Sequence, residues 1–315
     1  MAMKRLLLLL KPLDVAPPPS HTTTSPQIIH YLNSRCKVQH DAINFCQAVL
    51  RTKSVEWKTI QRNDLSQSIN DVDLVVTIGG DGTLLHASHF IDNNIPILGL
   101  NSDPTQIDEV EQFSSEFDAT RSTGHLCAAT VENFEQVLDG ILEGQIVPSK
   151  LTRISISVNS LQLSTYALND ILISHPCPAS LSRFSIRIKK DDQPCSPLVN
   201  CRSSGLRVST SAGSTAAMHS AGGFLMPILS HDLQYMVREP ISAGSVSNFM
   251  HGFIKDDQTM HITWTNEEGM LYIDGFHVNY TIQEGDIIEI SSKAPILKVF
   301  LSRQLLPVEQ TCSKL

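Results

Sequence analysis

Apolar residues along the chain fall into two regimes. In the first half they come in short runs, unbroken at residues 6–10 and with one or two other residues among them at 73–78 and 95–100. A run of that length without alternation suits a strand buried on both faces, as in a parallel sheet covered by helices. Helices are predicted over residues 27–34, 41–51, 84–90 and 133–142, and the Pro-, Ser- and Thr-rich stretch 12–26 shows no period and reads as a loop. Strand 73–78, glycine turn 79–83, helix 84–90 and strand 95–100 form a βαβ unit. Near Pro148 the pattern changes to short strands at intervals: 151–158, 166–174, 184–189, 206–210, 261–265, 270–273 and 287–291. The last apolar run, 296–301, again reads as a buried strand and is expected to return to the first domain. The expected layout is an α/β domain over residues 1–148, a mainly-β domain over 149–292, and a return segment with a C-terminal tail over 293–315. No internal repeat is visible.

Composition narrows the function classes. The chain has 315 residues, 41% hydrophobic and 18% charged, with a formal charge of -8, which argues against a nucleic-acid partner. No apolar run approaches the roughly 20 residues of a membrane span, and the leucine run 6–10 is shorter than a secretory core, so a soluble chain with no membrane partner is expected. Seven cysteines is an odd number, and there is no Cys-x-x-Cys pair and no Cys/His cluster at zinc spacing. Free thiols in a reducing compartment follow, Cys195 and Cys201 included, although a Pro-containing loop brings those two close in sequence.

Three segments carry candidate chemistry. Gly79-Gly80-Asp81-Gly82-Thr83 joins a buried strand to a helix, where backbone N–H groups and the positive end of the helix dipole can hold phosphate; Gly79, Gly80, Gly82 and Thr83 are the candidate phosphate contacts. A carboxylate there is repelled by phosphates unless it holds a cation or accepts a proton from a hydroxyl nucleophile, which makes Asp81 the candidate catalytic group. The same pentapeptide also reads as a plain turn with Asp81 as turn former, and it is neither a Walker A loop nor the spaced dinucleotide fingerprint. The second segment is Ala167-Leu168-Asn169-Asp170, whose amide and carboxylate suit ribose and adenine edges; both side chains can reach one ligand only if the strand ends or bulges there. The third runs from Arg202 to Ala217 and includes Ala212-Gly213-Ser214-Thr215-Ala216, in which Ser214 or Thr215 could cap a helix containing Met218 and His219.

Other features have plainer readings. His86 and His89 lie three apart on a helix, a spacing open to metal ligation, to a phosphate contact or to a polar face, and no third ligand is evident, so no protein-held metal is expected. Gln283-Glu284-Gly285-Asp286 reads as a hairpin turn, and Trp57 and Trp264 as packing residues. Ser313-Lys314-Leu315 matches the peroxisomal address at the chain end, which implies a peroxisomal import receptor as a partner and leaves a cytoplasmic pool open.

Taken in order, the GGDGT turn, the strand bearing Ala-Leu-Asn-acid, the Gly-Ser-Thr-Ala run and Ser220-Ala-Gly-Gly223 resemble the NAD kinase family. The likeness extends over about residues 74–290 and is strongest toward short plant-type members at 79–90, 101–105 and 122–130. It implies an NAD kinase-like two-domain fold, the first domain α/β and the second a mainly-β, sandwich-like domain, with an active site between the domains and pairing of subunits through the second, so that a homodimer supplies the full lining. It also implies transfer of the ATP γ-phosphoryl group, with Mg²⁺, to the adenosine-ribose 2′-hydroxyl of NADH or NAD⁺. Residue by residue, it makes Asp81 the proton acceptor and Gly82, Asn169, Asp170, Arg202, Thr215, Ala216 and Ser220 dinucleotide contacts. Ser204 stands where many members have Asp, Ala217 where they have Tyr, and Phe276 where a polar residue is common; with no carboxylate at 204 to attract a cationic ring, NADH is the expected preference. Two other readings stay open: a diacylglycerol- or sphingosine-type lipid kinase, which shares the GGDGT turn but not the later segments in this order, and a non-catalytic NAD(H)-binding sensor, which would not need Asp81.

Overall fold

The computed structural model describes residues 4–12, 26–241 and 248–306. The predicted loop at 12–26 falls, apart from its ends, outside the described residues, as do residues 313–315. The chain divides into two compact units, Met1–Ser149 with Lys298–Leu315, and Lys150–Leu297.

The first unit is α/β. Its elements are β1 (Arg5–Leu10), α1 (Pro26–Arg51), β2 (Glu56–Gln61), β3 (Leu74–Gly79), α2 (Asp81–Ser88), β4 (Ile97–Asn101), α3 (Ile107–Phe113), β5 (Ala129–Thr130), α4 (Phe134–Leu142) and β6 (Ser149–Leu151). The sheet runs β2-β1-β3-β4 and continues into a return strand, Leu297–Phe300, with parallel pairing throughout that series. Leu6 to Leu10 are each at most 4% exposed, so consecutive side chains are buried on opposite faces of the sheet. One face packs Leu6, Leu8, Val76 and Leu98 against Cys46 and Leu50 of α1 and Phe134 and Leu138 of α4.

Three helices differ from the sequence reading, which has none at α3. Residues 27–34 and 41–51 belong to one helix, α1, because residues 35–40 contain no Gly or Pro to break it. α2 starts at Asp81 rather than at residue 84: Gly80 is its N-cap and the Thr83 amide donates to the Gly80 carbonyl at 2.9 Å. Asp81 therefore lies in the first helical turn, where a negative charge suits the dipole.

The second unit is a pair of antiparallel sheets. Its elements are β7 (Ser155–Val158), β8 (Leu161–Gln162), β9 (Asp170–Ser174), β10 (Ser182–Lys190), β11 (Gln193–Pro194), β12 (Val199–Ser203), β13 (Gly205–Ser209), α5 (Ala217–Ser220), β14 (Leu233–Arg238), β15 (His251–Ile254), β16 (Gln258–Trp264), β17 (Glu268–Ile273), β18 (Val278–Gln283) and β19 (Ile287–Ser291). One sheet has the order β11-β10-β16-β19-β7-β8, with β12 beside β10, and the other β15-β14-β13-β9-β17-β18. Ile156, Ile186, Ile262 and Ile288 from the first meet Ile171, Val208, Leu233 and Leu271 from the second in one core, the layered packing of a sandwich. Trp264 is fully buried in that core and Trp57 packs at the edge of the first unit's core.

Several predicted strands are cut or missing. The run 151–158 breaks at Thr152-Arg153-Ile154, where the buried Arg153 donates to the Pro295 carbonyl at 2.7 Å. The run 166–174 is a strand only from Asp170, because the amides of residues 168–170 are taken by a side chain described below. β2, β12, β14, β15 and β18 are absent from the predicted set; β2 is mostly polar and lies at a sheet edge, and β12 alternates buried and exposed over only five residues. The turn at 283–286 is not a hairpin, since β18 and β19 belong to different sheets.

Candidate active site

In the first unit the site is built where β3 ends. A Cβ on Gly79 would lie 2.3 Å from Thr83 Oγ1, and one on Gly80 would lie 2.3 Å from Ser122 Oγ, so both positions need glycine for the turn to close. A Cβ on Gly82 would meet nothing within 4 Å. Gly82 is exposed, whereas Gly79 and Thr83 are buried. The phosphate set expected from sequence thus separates: Gly79 and Thr83 shape the turn, and Gly82 leaves its approach clear at a helix N-terminus.

The Asp81 carboxylate is fixed from across the unit. Oδ2 accepts from the His125 amide at 2.8 Å and Oδ1 from the Leu126 amide at 2.9 Å. Thr123 Oγ1, at 3.5 Å, and Cys127 Sγ, at 3.6 Å, complete the surround. Burial pushes the Cys127 thiol well above its ordinary value, and the Asp81 charge adds to the shift, so the thiol faces Asp81 as a neutral donor. Beside the turn, Asn101 is paired in register with Gly79 and its Nδ2 donates to the Ser122 carbonyl at 3.2 Å, while its Oδ1 is buried with no hydrogen-bond partner among the described residues. The α2 residue His86 packs on Phe90, and among the described residues no group of three His, Cys, Asp or Glu side chains could hold a metal ion.

In the second unit Asn169 and Asp170 sit where β9 begins. Asp274 accepts from the amides of Leu168, Asn169 and Asp170 at 2.8, 2.7 and 3.0 Å, and its own amide donates to the Asp170 carbonyl at 2.9 Å. This grip ends the ladder at Asp170 and turns Asn169 out of strand geometry, the condition under which neighbouring side chains can share a ligand. Gly213 packs on the same backbone: a Cβ there would lie 2.1 Å from the Asn169 carbonyl oxygen. Thr215, Ala216 and Ser220 follow directly, Thr215 and Ser220 exposed.

Among the described residues Asn169 Oδ1 is buried without a hydrogen-bond partner, and it is available to a ligand N–H or O–H. Asp170 is ion-paired with Arg207, a diagonal neighbour across the β9–β13 ladder. Burial raises the Asp170 carboxyl above its usual value, against the opposing charge of Arg207 and with that of Asp274. Neither Ser214 nor Thr215 caps α5: Ser214 Oγ donates back to the Ser211 carbonyl, Thr215 Oγ1 to the Ala212 carbonyl, and the N-cap is Ala216. Asp274 and Arg207 escape sequence reading, since Asp274-Gly275 looks like an ordinary turn and its partners lie about a hundred residues away.

Arg202 and Ser204 are not brought to this cluster. Gly205 pairs with Arg238 at one end of β13 and Ser209 with Asp170 at the other. Ser204 is therefore roughly 17 Å along the strand from the Asp170 end, at about 3.3 Å per residue. Its amide donates to the Arg238 carbonyl at 3.1 Å. Arg202 stands opposite Arg183 on β10, and the two line a cavity of about 280 Å³ with Asn200 and Thr265. Phe276 is 71% exposed, beside His277.

Comparison with known proteins gives the chain a family. Residues 7–118 match the ATP-NAD kinase N-terminal domain. A probable NADH kinase of Oryza sativa subsp. japonica is 56% identical over 97% of this chain and 99% of its own length. The chain belongs to the NAD kinase family. An NADH kinase of Arabidopsis thaliana is 62% identical over 96% of this chain and 97% of its own. The NAD kinase fold extends to solved structures at low identity. The NAD kinase of Archaeoglobus fulgidus, solved with ATP, has a TM-score of 0.65 at 19% identity, covering 96% of this chain and 95% of that one. Yeast NADH kinase, solved with NADH, has a TM-score of 0.68 at 16% identity, covering 100% and 90%.

Proposed function

We propose that the protein transfers the γ-phosphoryl group of ATP to the adenosine-ribose 2′-hydroxyl of NADH, and of NAD⁺, giving NADPH and NADP⁺. The observation that carries this reading is Asp81: a carboxylate at a helix N-terminus, oriented by two backbone amides, beside a glycine that closes nothing. Asp81 takes the proton of the attacking hydroxyl, and the open backbone at Gly82 receives phosphate oxygens. Mg²⁺ enters with ATP, as part of that substrate. Asn169, with its unused acceptor, and Asp170, set by Arg207, hold the dinucleotide together with Thr215, Ala216 and Ser220.

Two finer readings accompany it. Arg202 and Ser204 contribute to dinucleotide binding from a second copy of the chain, since β13 separates them from Asn169 within one; a homodimer is the minimum assembly. Substitution of Arg202 should then raise the dinucleotide KM, and mixing that variant with a Thr215 variant should restore part of the binding lost in each. Peroxisomal import through Ser313-Lys314-Leu315 rests on sequence alone, and an N-terminal fluorescent fusion that stays cytosolic with the tripeptide intact removes it.

The assay for the main reading is purified protein with ATP, Mg²⁺ and either NADH, NAD⁺ or a diacylglycerol, with the phosphorylated product identified. A 2′-phosphorylated dinucleotide is expected. A phosphorylated lipid, or no product, overturns it. A kcat/KM for NADH no higher than that for NAD⁺ removes the role given to Ser204.

A further inference from the structure

Asp81 is oriented by a turn that is itself held in place, and the residue joining the two is Ser122. Its Oγ accepts from the Asp81 amide and from the Gly124 amide, both at 3.2 Å, and its carbonyl accepts from Asn101. Gly124 then turns the chain with φ at +65°, tight against Asn101, so that the next two amides, those of His125 and Leu126, meet the Asp81 carboxylate. One hydroxyl thus fixes both the backbone that carries the carboxylate and the turn that aims it.

Ser122 is fixed in turn by an ion-pair cluster that the reaction does not use. Arg121 pairs with Asp103 and Glu109, and Arg35 of α1 reaches the same two carboxylates at 3.2 and 3.5 Å. The Arg121 side chain is only 9% exposed. Arg35 also lies over the Tyr31 ring at 5.1 Å, and Tyr31 packs on Phe113 and Phe117. The Arg121 amide donates to Thr105 Oγ1, and Ser122 bridges to Pro104. Two arginines shared between two acids at partial burial form a closed network, which resists displacement more than a lone surface pair does.

We infer that Ser122 is a positioning residue for Asp81, anchored to α1 through the Arg35–Asp103–Arg121–Glu109 cluster. This rests on Asp81 acting as the proton acceptor. Positioning a base changes the rate of the chemical step and leaves ground-state binding nearly untouched, since the Ser122 hydroxyl is taken up by the Asp81 and Gly124 amides.

The test is steady-state kinetics with ATP, Mg²⁺ and NADH on Ser122→Ala, Ser122→Thr and Arg121→Met, each in the wild-type and Asp81→Asn backgrounds, with melting temperatures alongside. Ser122→Ala should lower kcat about ten- to hundredfold with both KM values within about twofold. Ser122→Thr, which keeps the hydroxyl, should recover to within about threefold, and Arg121→Met should lower kcat in the same sense by less. In the Asp81→Asn background, adding Ser122→Ala should change the residual rate by less than about twofold. Equal losses in both backgrounds, a rise in KM at constant kcat, or an unchanged kcat would overturn the inference. If Ser122→Ala does not fold, Ser122→Thr and Arg121→Met decide by the same criteria. Full activity in Asp81→Asn would instead sink the role of Asp81 itself.

Discussion

Both units use an aspartate that accepts hydrogen bonds from consecutive backbone amides, with the roles reversed. In the first, the amides of His125 and Leu126 hold Asp81, the carboxylate we propose as the proton acceptor. In the second, Asp274 holds the amides of Leu168, Asn169 and Asp170, and the backbone so gathered carries the side chains of Asn169 and Asp170, the proposed dinucleotide contacts. The glycines follow the same division. Gly82 is open, whereas Gly213 is pressed against the Asn169 carbonyl. One motif of carboxylate on amides thus fixes a carboxylate in one place and a stretch of backbone in the other, and the proposed function gives chemistry to the first and scaffolding to the second.

Substitution with asparagine should separate the two roles. Asp81→Asn keeps shape and removes basicity, so kcat should fall about 10²- to 10⁴-fold, roughly 3–5 kcal/mol of barrier, with the NADH dissociation constant little changed. Asp274→Asn removes the charge from three amide hydrogen bonds and should cost about 1.5–3 kcal/mol of stability, seen as a lower melting temperature, together with a raised dinucleotide KM. A large stability loss from Asp81→Asn, or a pure kcat loss from Asp274→Asn, would erase the contrast.

How much of this was legible in the sequence follows from range. The buried leucine run 6–10 and the β3–α2–β4 unit rest on local period and composition, and both are in the structure. Asp81 and Asn169 stand in segments with recognisable neighbours. Asp274, Arg207 and Ser122 act through partners about 40 to 100 residues away, and nothing in their immediate surroundings differs from an ordinary turn or strand residue. β12 and β18 alternate buried and exposed positions, but their apolar sets are too short to register. The early start of α2 matters most for function, since it moves Asp81 from a loop into a helical turn.

The two glycines give the next contrast. Gly213→Ala forces a Cβ into the space occupied by the Asn169 carbonyl and should destabilise by about 1–3 kcal/mol, with loss of dinucleotide binding. Gly82→Ala has room and adds helix propensity near the start of α2, so the melting temperature should hold or rise, by up to about 1 kcal/mol of stability. If phosphate approaches there, the ATP KM should still increase. A Gly82→Ala variant with unchanged ATP kinetics would mean that its openness serves no ligand.

The smallest effect comes from a third grip on backbone, a neutral one. Gln234 accepts from the Phe224 amide and donates to the Phe224 carbonyl, both at 2.8 Å, four residues beyond Ser220. His251 Nε2 lies 2.9 Å from Gln234 Oε1, and its ring stacks on Phe224 at 5.0 Å. Burial holds the His251 pKa below its ordinary 6.5, so the unfolded chain takes up that proton more readily than the folded one. The stability this neutral ring contributes is present above about pH 6.5 and is lost as the pH falls through the lower, folded value. Between pH 7.5 and 5.5 the melting temperature should therefore drop, and His251→Gln should flatten the drop by about 1–2 °C. His261 is depressed by burial in the same direction and supplies a separate share, so the flattening should be partial. A pH slope unaltered by His251→Gln would take the histidine out of the clamp.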